Sequence, residues 1–269
     1  AIEIKSGYGL NIDSEKKMLE VISEINKSTE IIVKSTFLGA HAFPKEFSKN
    51  KHQYVDLIIN NMLPEFHDLQ LINYVDVFCE KGYFDLSQSE KIISKAQELG
   101  IQTKIHVNQF NSIGGIKLAV KYNALSVDHL EVLNVKDLEI LKNSSTMPVA
   151  LPTCSYFLGI KYAPARKIID SGLPLAIASD YNPGSSPSGN MNFVISTACI
   201  KMKMTTEEAI NAATINGAYS MGISDKAGSI TIGKIANLII TDKLNSIDEI
   251  PYSFGSNKIS KVILAGAIV

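Results

Sequence analysis

The sequence has no long apolar run, almost no net charge and few cysteines. No apolar run reaches the ~18 residues that a membrane-spanning helix needs, although 45% of the 269 residues are hydrophobic. The formal net charge of -1 gives no indication of a nucleic-acid partner or an anionic membrane surface. The three cysteines are odd in number, which argues against a disulfide framework and is typical of a reducing compartment. We therefore expect a cytoplasmic globular protein.

The opening segment, AIEIKSGYGL, has no basic stretch and no cleavage pattern of a secretory leader. Its residues Ile2–Lys5 already have the pattern of a buried strand. Because a natural N-terminus seldom begins in this way, we expect a segment upstream of Ala1 to be missing. The length is common for an α/β barrel built as one domain.

Short apolar runs alternate with longer amphipathic segments. Consecutive apolar residues suit strands covered on both faces, as in a parallel sheet. Most of the seven apolar runs have this pattern, and the seven are Ile2–Lys5, Ile31–Leu38, Tyr74–Cys79, Thr103–Val107, Ala124–Val127, Val149–Pro152 and Leu173–Ala178. The predicted helices between them are Ser14–Ile25, Tyr54–Met62, Ser87–Leu99, Gly115–Tyr122, Val135–Leu141 and Ala163–Ser171. This order predicts a parallel sheet with right-handed crossovers, open or closed into a barrel.

The pattern changes after Ala178. Met204–Gly217 is predicted to be a helix, and three β segments follow it: Ser229–Ile232, Ala236–Thr241 and Lys261–Leu264. We therefore divide the chain into a β/α domain, residues 1–222, and part of a small β domain, residues 223–269. The segment 185–190 has the composition of a loop and follows a strand, where barrel enzymes place functional loops.

Several polar side chains follow the carboxyl ends of predicted strands. They are His41, Glu80, His106, Asp128, His129 and Asp180. In a (β/α) barrel those ends meet at the face that carries the active site. Each residue taken singly has a structural explanation, since Glu80 can cap a turn and Asp180 can form an Asx turn. Together they favour a functional site.

Histidines and an aspartate on separate strands are suitable ligands for Zn²⁺ or Fe²⁺. Such an ion lowers the pKa of bound water, and a neighbouring His or Asp can pass protons to a leaving nitrogen. His106 and Asp180 alone fall short of the three protein ligands that are usual at a catalytic zinc. Cys79 and Cys154 are predicted to be buried and unreactive, because neither has a cationic neighbour in sequence.

Eight segments resemble, in order, the conserved blocks of the imidazolonepropionase family in the amidohydrolase superfamily: SGYGL, TFLGAHAFP, DVFCEKGYF, KIHVNQF, DHLE, LPTCSYFL, ASDYNPGSSP and NGAYSMG. The resemblance covers nearly the whole chain. It implies a TIM-like (β/α)8 barrel of the metal-dependent hydrolase type, with strands two to eight present, and a small C-terminal β segment from a β-sandwich. It also implies one zinc or iron ion per subunit, a small-molecule substrate and a possible homodimer. The implied reaction is hydrolysis of 4-imidazolone-5-propanoate to N-formimidoyl-L-glutamate, a step of histidine degradation.

The resemblance further implies roles for individual residues. His106 and Asp180 would bind the metal, and Asp180 and His129 would carry protons. The residues implied to contact the substrate are Tyr8, His41, Gln109, Asn182, Gly184 and Ser185. Because some relatives carry Glu at the position of Gln109, and a glutamine cannot act as a general base, proton transfer would depend on Asp180 and His129.

The chain departs from the family pattern in one respect. It contains no His-x-His pair, and it lacks the arginine that follows this pair on the first barrel strand of the family. We therefore expect that strand to be missing. Two alternatives stay open: another deaminase or cyclic amidohydrolase of the superfamily, and a metal-free fragment that binds a ligand or partner without catalysis.

Overall fold

The computed structural model describes residues 1–269. Its strands are β1 (Ile2–Lys5), β2 (Val33–Ala40), β3 (Tyr74–Cys79), β4 (Gln102–Val107), β5 (Ser126–His129), β6 (Met147–Ala150), β7 (Ala176–Ile177), β8 (Leu238–Thr241), β9 (Ile259–Leu264) and β10 (Ala267–Ile268). Its α-helices are α1 (Ile12–Ser28), α2 (Lys51–Leu57), α3 (Leu63–Asp68), α4 (Leu86–Glu98), α5 (Gly115–Lys121), α6 (Val135–Lys142), α7 (Pro152–Leu158), α8 (Ala165–Asp170), α9 (Met191–Met202), α10 (Thr206–Ala213), α11 (Ile215–Ser220) and α12 (Glu249–Tyr252). None of these helices has both the length and the apolar character needed to span a bilayer.

Strands β1 to β7 form one sheet in which hydrogen-bonded neighbours follow chain order. The pairings of β1 with β2, β2 with β3, β3 with β4 and β6 with β7 are all parallel. Each pair is joined by a helical crossover, as parallel pairing requires. The predicted α/β class with seven parallel strands is thereby confirmed. A second sheet has the order β10-β9-β8 and is antiparallel.

The chain separates into two compact units. The first unit contains residues 1–128 and 134–146, and the second contains residues 129–133 and 147–269. The predicted boundary between residues 222 and 223 stays a prediction.

The first unit is built on strands that are covered on both faces. All six residues of β3 are buried, which explains why a run that is apolar except at Asp76 predicted this strand within its observed limits. Helix α1 buries Leu19 and Ile22, on the face that its helical spacing predicts. Helix α4 begins with a capping box between Asp85 and Gln88, a motif in which the Ncap side chain alone contributes about 1 kcal/mol.

The second unit has its own core, formed by Met147, Val149, Leu151, Cys154 and Ala176. Helix α10 begins with a second capping box, between Thr205 and Glu208. Arg166 donates to both carboxylate oxygens of Glu208, at 2.6 and 2.9 Å. This bidentate ion pair joins α8 to the start of α10.

Two predicted elements differ from the observed ones. The helix predicted over Met204–Gly217 is divided at Thr214, where φ is -116° and ψ is -89°. The hydroxyl of Thr214 donates to the carbonyl of Ile210 at 2.6 Å, so the side chain uses an acceptor at the end of α10. The predicted strand Ser229–Ile232 is an exposed turn without strand pairing, and the side chain of Ile232 is fully exposed.

Helix α9 was missed by sequence reasoning. Its buried positions, which include the consecutive residues Val194, Ile195, Ser196, Thr197 and Ala198, are too nearly continuous to give a one-sided apolar pattern. Its N-cap is the side chain of Asn190, which accepts from the N–H of Asn192 and of Phe193. The helix thus begins where the predicted loop 185–190 ends.

Candidate active site

A line of aromatic rings follows the carboxyl ends of the first four strands. The ring centroids of Tyr8 and His41 are 5.5 Å apart, those of His41 and Phe78 are 6.2 Å apart, and those of Phe78 and His106 are 6.0 Å apart. Four separate strand ends therefore place their side chains along one edge of the first unit. The structure brings the predicted substrate residues Tyr8 and His41 to the same edge as the predicted metal ligand His106.

His106 is held from behind by Asp76. The Nδ1 atom of His106 lies 3.0 Å from Oδ1 and 2.9 Å from Oδ2 of Asp76, a fully buried residue. Because an ionised carboxylate only accepts hydrogen bonds, Nδ1 carries the hydrogen, and in the neutral ring the lone pair is therefore on Nε2. Burial alone would lower the pKa of His106, but the negative charge of Asp76 more than compensates and raises it. This arrangement is common behind histidines that bind metals.

The carboxylate of Asp76 is also paired with Lys5. The Lys5 ammonium lies 2.8 Å from Asp76 and 3.6 Å from Asp128, and 2.7 Å from Glu3. Burial works against ionisation of Asp76, yet the charges of His106 and Lys5 hold its pKa well below the usual range. The first unit therefore has a compensated group of charges beneath the line of rings.

Asp76, His106 and Asp128 are a candidate divalent-metal cluster, since their ligand atoms all lie within 4.8 Å of one another. Imidazole and carboxylate donors fit Zn²⁺ or Fe²⁺. However, an ion held between Asp76 and Asp128 would face the ammonium group of Lys5. The geometry shows that Asp76 orients the imidazole ring; that Nε2 of His106 binds a metal stays a prediction.

The loop after β4 carries Gln109, which is buried. Its backbone is held by Glu80, whose Oε2 accepts from the N–H of Phe110 at 3.0 Å and of Asn111 at 3.2 Å. The other carboxylate oxygen accepts from the N–H of Lys81 at 2.8 Å. Glu80 thus acts as a cap for backbone donors, which is the structural explanation that its sequence position allowed.

In the second unit, the predicted residues Asp180, Asn182, Gly184 and Ser185 belong to one hydrogen-bonded loop. The Asn182 side chain accepts from the N–H of Gly184 at 2.9 Å and of Ser185 at 2.8 Å. The Ser185 hydroxyl donates to Oδ2 of Asp180 at 3.1 Å. The Asx turn is therefore made by Asn182, and the carboxylate of Asp180 is oriented by a hydroxyl group.

His129 also lies in the second unit, with a φ of 85°. Its Nδ1 atom lies 3.4 Å from Oε1 of Glu131, and the Ser155 hydroxyl donates to the same oxygen at 3.1 Å. The other oxygen, Oε2 of Glu131, is buried without a hydrogen-bond partner. Such an atom is costly unless a function uses it.

The two cysteines predicted to be unreactive are buried. Burial raises the pKa of the Cys79 thiol to about 11. Burial and then the negative charge of Asp180 raise the pKa of the Cys154 thiol far above its ordinary value. Neither thiol is therefore ionised near neutral pH, in agreement with the prediction from sequence.

Sequence reasoning missed three charged residues near the candidate site: Lys5, Asp76 and Glu131. A signal for Asp76 was present, because it is the one charged residue in an otherwise apolar strand, whereas Lys5 ends a strand in which apolar and charged residues alternate. Glu131 lies in the segment DHLE, but the sequence pattern indicated no role for it. The roles of the residues that sequence did single out stay predictions.

Comparison with known proteins places the chain in a class. Residues 84–269 match the sequence profile of the amidohydrolase family, and the chain belongs to that family. The fold is similar to an adenosine deaminase from Xanthomonas campestris with bound zinc, with a TM-score of 0.72 and 18% identity, covering 93% of this chain and 63% of that one. It is also similar to a guanine deaminase from C. acetobutylicum with bound guanine, with a TM-score of 0.75 and 14% identity, covering 99% and 71%.

Curated relatives give a narrower similarity. The chain is 62% identical over 269 residues to an imidazolonepropionase of Flavobacterium johnsoniae, covering all of this chain and 66% of that protein. It is 43% identical to an imidazolonepropionase of Alkaliphilus oremlandii, covering 64% of that protein. The chain therefore spans slightly less than two thirds of the length of these relatives.

Proposed function

We propose that the protein hydrolyses 4-imidazolone-5-propanoate to N-formimidoyl-L-glutamate in histidine degradation. In this reaction the oxygen of water adds to the ring carbonyl carbon, the ring C–N bond breaks, and the leaving nitrogen takes up a proton. Relatives that are 62% and 43% identical and carry the name imidazolonepropionase support the substrate. The structural observation that carries the proposal is the line of rings from Tyr8 to His106 with Asp76 behind it.

A zinc or iron ion would supply bound water of lowered pKa and would polarise the carbonyl group. On the protein side, Nε2 of His106 would be one ligand, because the Nδ1–H bond to Asp76 places the imidazole lone pair on Nε2. The carboxylate of Asp180 would be another ligand, with Oδ2 held by the Ser185 hydroxyl. That His106 and Asp180 bind a common ion stays a prediction.

Proton transfer would depend on His129 and Asp180. Glu131 is placed to accept the Nδ1–H of His129 across 3.4 Å, which leaves the lone pair of the neutral ring on Nε2. That atom would hold or deliver the proton that the leaving nitrogen requires. Asp180 would accept a proton from the attacking water, since an ionised carboxylate is a base and a glutamine at position 109 is not.

Substrate contacts would come from Tyr8, His41 and Gln109 and from the loop of Asn182, Gly184 and Ser185. Tyr8 is 54% exposed although its ring contacts that of His41. An ordered aromatic side chain with an accessible face can pack on the flat imidazolone ring and offer its hydroxyl group. The polar side chains of Asn182 and Ser185 in the loop after β7 would offer further contacts.

The experiment is turnover by the metal-loaded full-length protein of imidazolone propanoate, compared with guanine, adenosine and hydantoin. We expect measurable turnover of the first compound alone. Asp180→Asn should reduce kcat by about 100-fold or more, because it removes a ligand and a base. Asp170→Asn is the matched control, since Asp170 is an exposed partner of Arg166. Faster purine or hydantoin turnover, or near-normal activity of Asp180→Asn, would contradict the proposal.

A further inference from the structure

A buried carboxylate lies beneath the loop that carries Tyr8. Glu15 is in the first turn of α1 and is fully buried. Its Oε1 atom accepts from the N–H of Gly9 at 2.7 Å and of Leu10 at 2.9 Å, and its Oε2 accepts from the N–H of Gly7 at 3.0 Å. Three backbone donors of one short loop therefore converge on one negative charge, which is a strong form of hydrogen bonding.

The backbone of this loop, residues 6–10, is closely confined. Gly7 has a φ of +109°, and a Cβ atom there would lie 2.6 Å from the carbonyl oxygen of Leu38. A Cβ atom at Gly9 would lie 2.6 Å from Cβ of Ser14. Glycine is required at both positions. In the observed conformation the loop passes close to β2 and α1 and turns the N–H groups of Gly7, Gly9 and Leu10 towards Glu15.

The same loop orders the two side chains at the start of the line of rings. The carbonyl oxygen of Gly7 lies 3.1 Å from Nδ1 of His41, which donates to it. Tyr8, the next residue, meets the His41 ring edge-on at 5.5 Å. Glu15 touches neither ring, but it holds the backbone segment from which Tyr8 projects and to which His41 is bonded.

We infer that Glu15 is a positioning residue for substrate recognition, acting through the backbone of residues 7–10 on Tyr8 and His41. This inference rests on the proposed function, in which those two side chains contact the substrate. Glutamine has nearly the same shape as glutamate, but its amide group presents N–H donors in place of one acceptor oxygen. Glu15→Gln therefore places a donor against a backbone N–H and releases part of the loop.

The test is Glu15→Gln in the metal-loaded full-length protein, with Glu20→Gln as the control, because Glu20 is an exposed glutamate on the same helix. We expect KM for imidazolone propanoate to rise about tenfold, the loss expected from a charge-assisted hydrogen bond. The kcat should stay within about twofold and the metal content should not change, since the chemical groups are untouched. Glu20→Gln should leave KM and kcat as they are.

A second readout does not depend on turnover. Amide hydrogen exchange should become faster at Gly7, Gly9 and Leu10 in Glu15→Gln, and should be unchanged in Glu20→Gln. If Glu15→Gln does not fold, Glu15→Asp replaces it in the experiment, because aspartate keeps the charge on a shorter side chain. We expect the same rise in KM and the same faster amide exchange.

A double-mutant cycle separates positioning from a general loss of stability. If Glu15 acts through Tyr8, Glu15→Gln should raise KM far less in a Tyr8→Ala background than in the parent protein. Additive effects on KM, or an unchanged KM together with faster loop exchange, would overturn the inference. Absence of turnover by the parent protein would instead overturn the proposed function, and unchanged exchange at residues 7–10 would still refute the role of Glu15 in holding the loop.

Discussion

Replacing Lys5 by methionine tests whether the buried carboxylates of Asp76 and Asp128 depend on this ammonium group. Nζ of Lys5 lies 2.8 Å from Asp76, whose side chain is 0% exposed, and 3.6 Å from Asp128, whose side chain is 9% exposed. Methionine keeps an unbranched apolar chain but removes the charge. Removing one partner of a buried ion pair costs roughly 3–5 kcal/mol. Because Lys5 itself is 24% exposed, we expect a loss near the lower end, about 3 kcal/mol.

The assay is urea unfolding followed by circular dichroism, with Lys16→Met as the control. Lys16 pairs with Glu65 at 2.9 Å, but the two side chains are 34% and 37% exposed. An exposed pair contributes at most about 1 kcal/mol, so the two lysine variants should differ by roughly 2 kcal/mol or more. Equal losses for Lys5→Met and Lys16→Met would refute the view that Lys5 compensates the buried carboxylates.

Zinc provides a second arm of the same experiment. Without the ammonium group, Asp76, His106 and Asp128 offer ligand atoms within 4.8 Å of one another, so added zinc should stabilise Lys5→Met more than the parent protein. A ligand that binds only the folded state raises its apparent stability. If zinc stabilises the parent protein instead, and Asp128→Asn abolishes this effect, then these carboxylates bind a metal and our assignment of Lys5 is wrong.

Three further predictions follow from the site. Asp76→Asn should weaken zinc affinity about 10- to 100-fold in a chelator competition, because a neutral amide replaces the charged acceptor that orients His106; unchanged affinity would exclude that role. His41→Ala should raise KM while metal content measured by atomic absorption stays intact, and loss of metal would place His41 among the ligands instead. Burial alone would raise the pKa of Glu3, but Lys104 and Lys5 lower it from 4.5 to about 2. The ionised Glu3 should therefore add about 3 kcal/mol to the free energy of unfolding above pH 4.5, a contribution that is lost as the pH falls towards 2. In urea unfolding at several pH values, the free energy of unfolding of Glu3→Gln should fall less steeply over this range than that of the parent protein. If the two proteins lose stability in parallel, the lowered pKa of Glu3 is contradicted.

The strands of the parallel sheet were the part of the fold that sequence alone predicted well. Tyr74–Cys79 was predicted within its observed limits, because a strand buried on both faces leaves a run that is apolar except at Asp76. Prediction failed where local pattern and tertiary contact diverge. At the break, the hydroxyl of Thr214 donates to the carbonyl of Ile210, a contact that the apolar pattern does not report. Helix α9 is buried at so many consecutive positions that its periodicity disappears.

For the candidate site, the sequence by itself determined which polar residues stand at strand ends, among them His41, His106 and Asp180, and which family they indicate. Only the tertiary structure decided which charged residues form hydrogen bonds and ion pairs around them. Asp76 meets His106 across 30 positions of the chain, and Lys5 meets Asp76 across 71. The physical reason is that hydrophobic pattern reports the environment of each residue separately, whereas the partner of a buried charge is set by strand order and register, which bring distant residues to hydrogen-bonding distance.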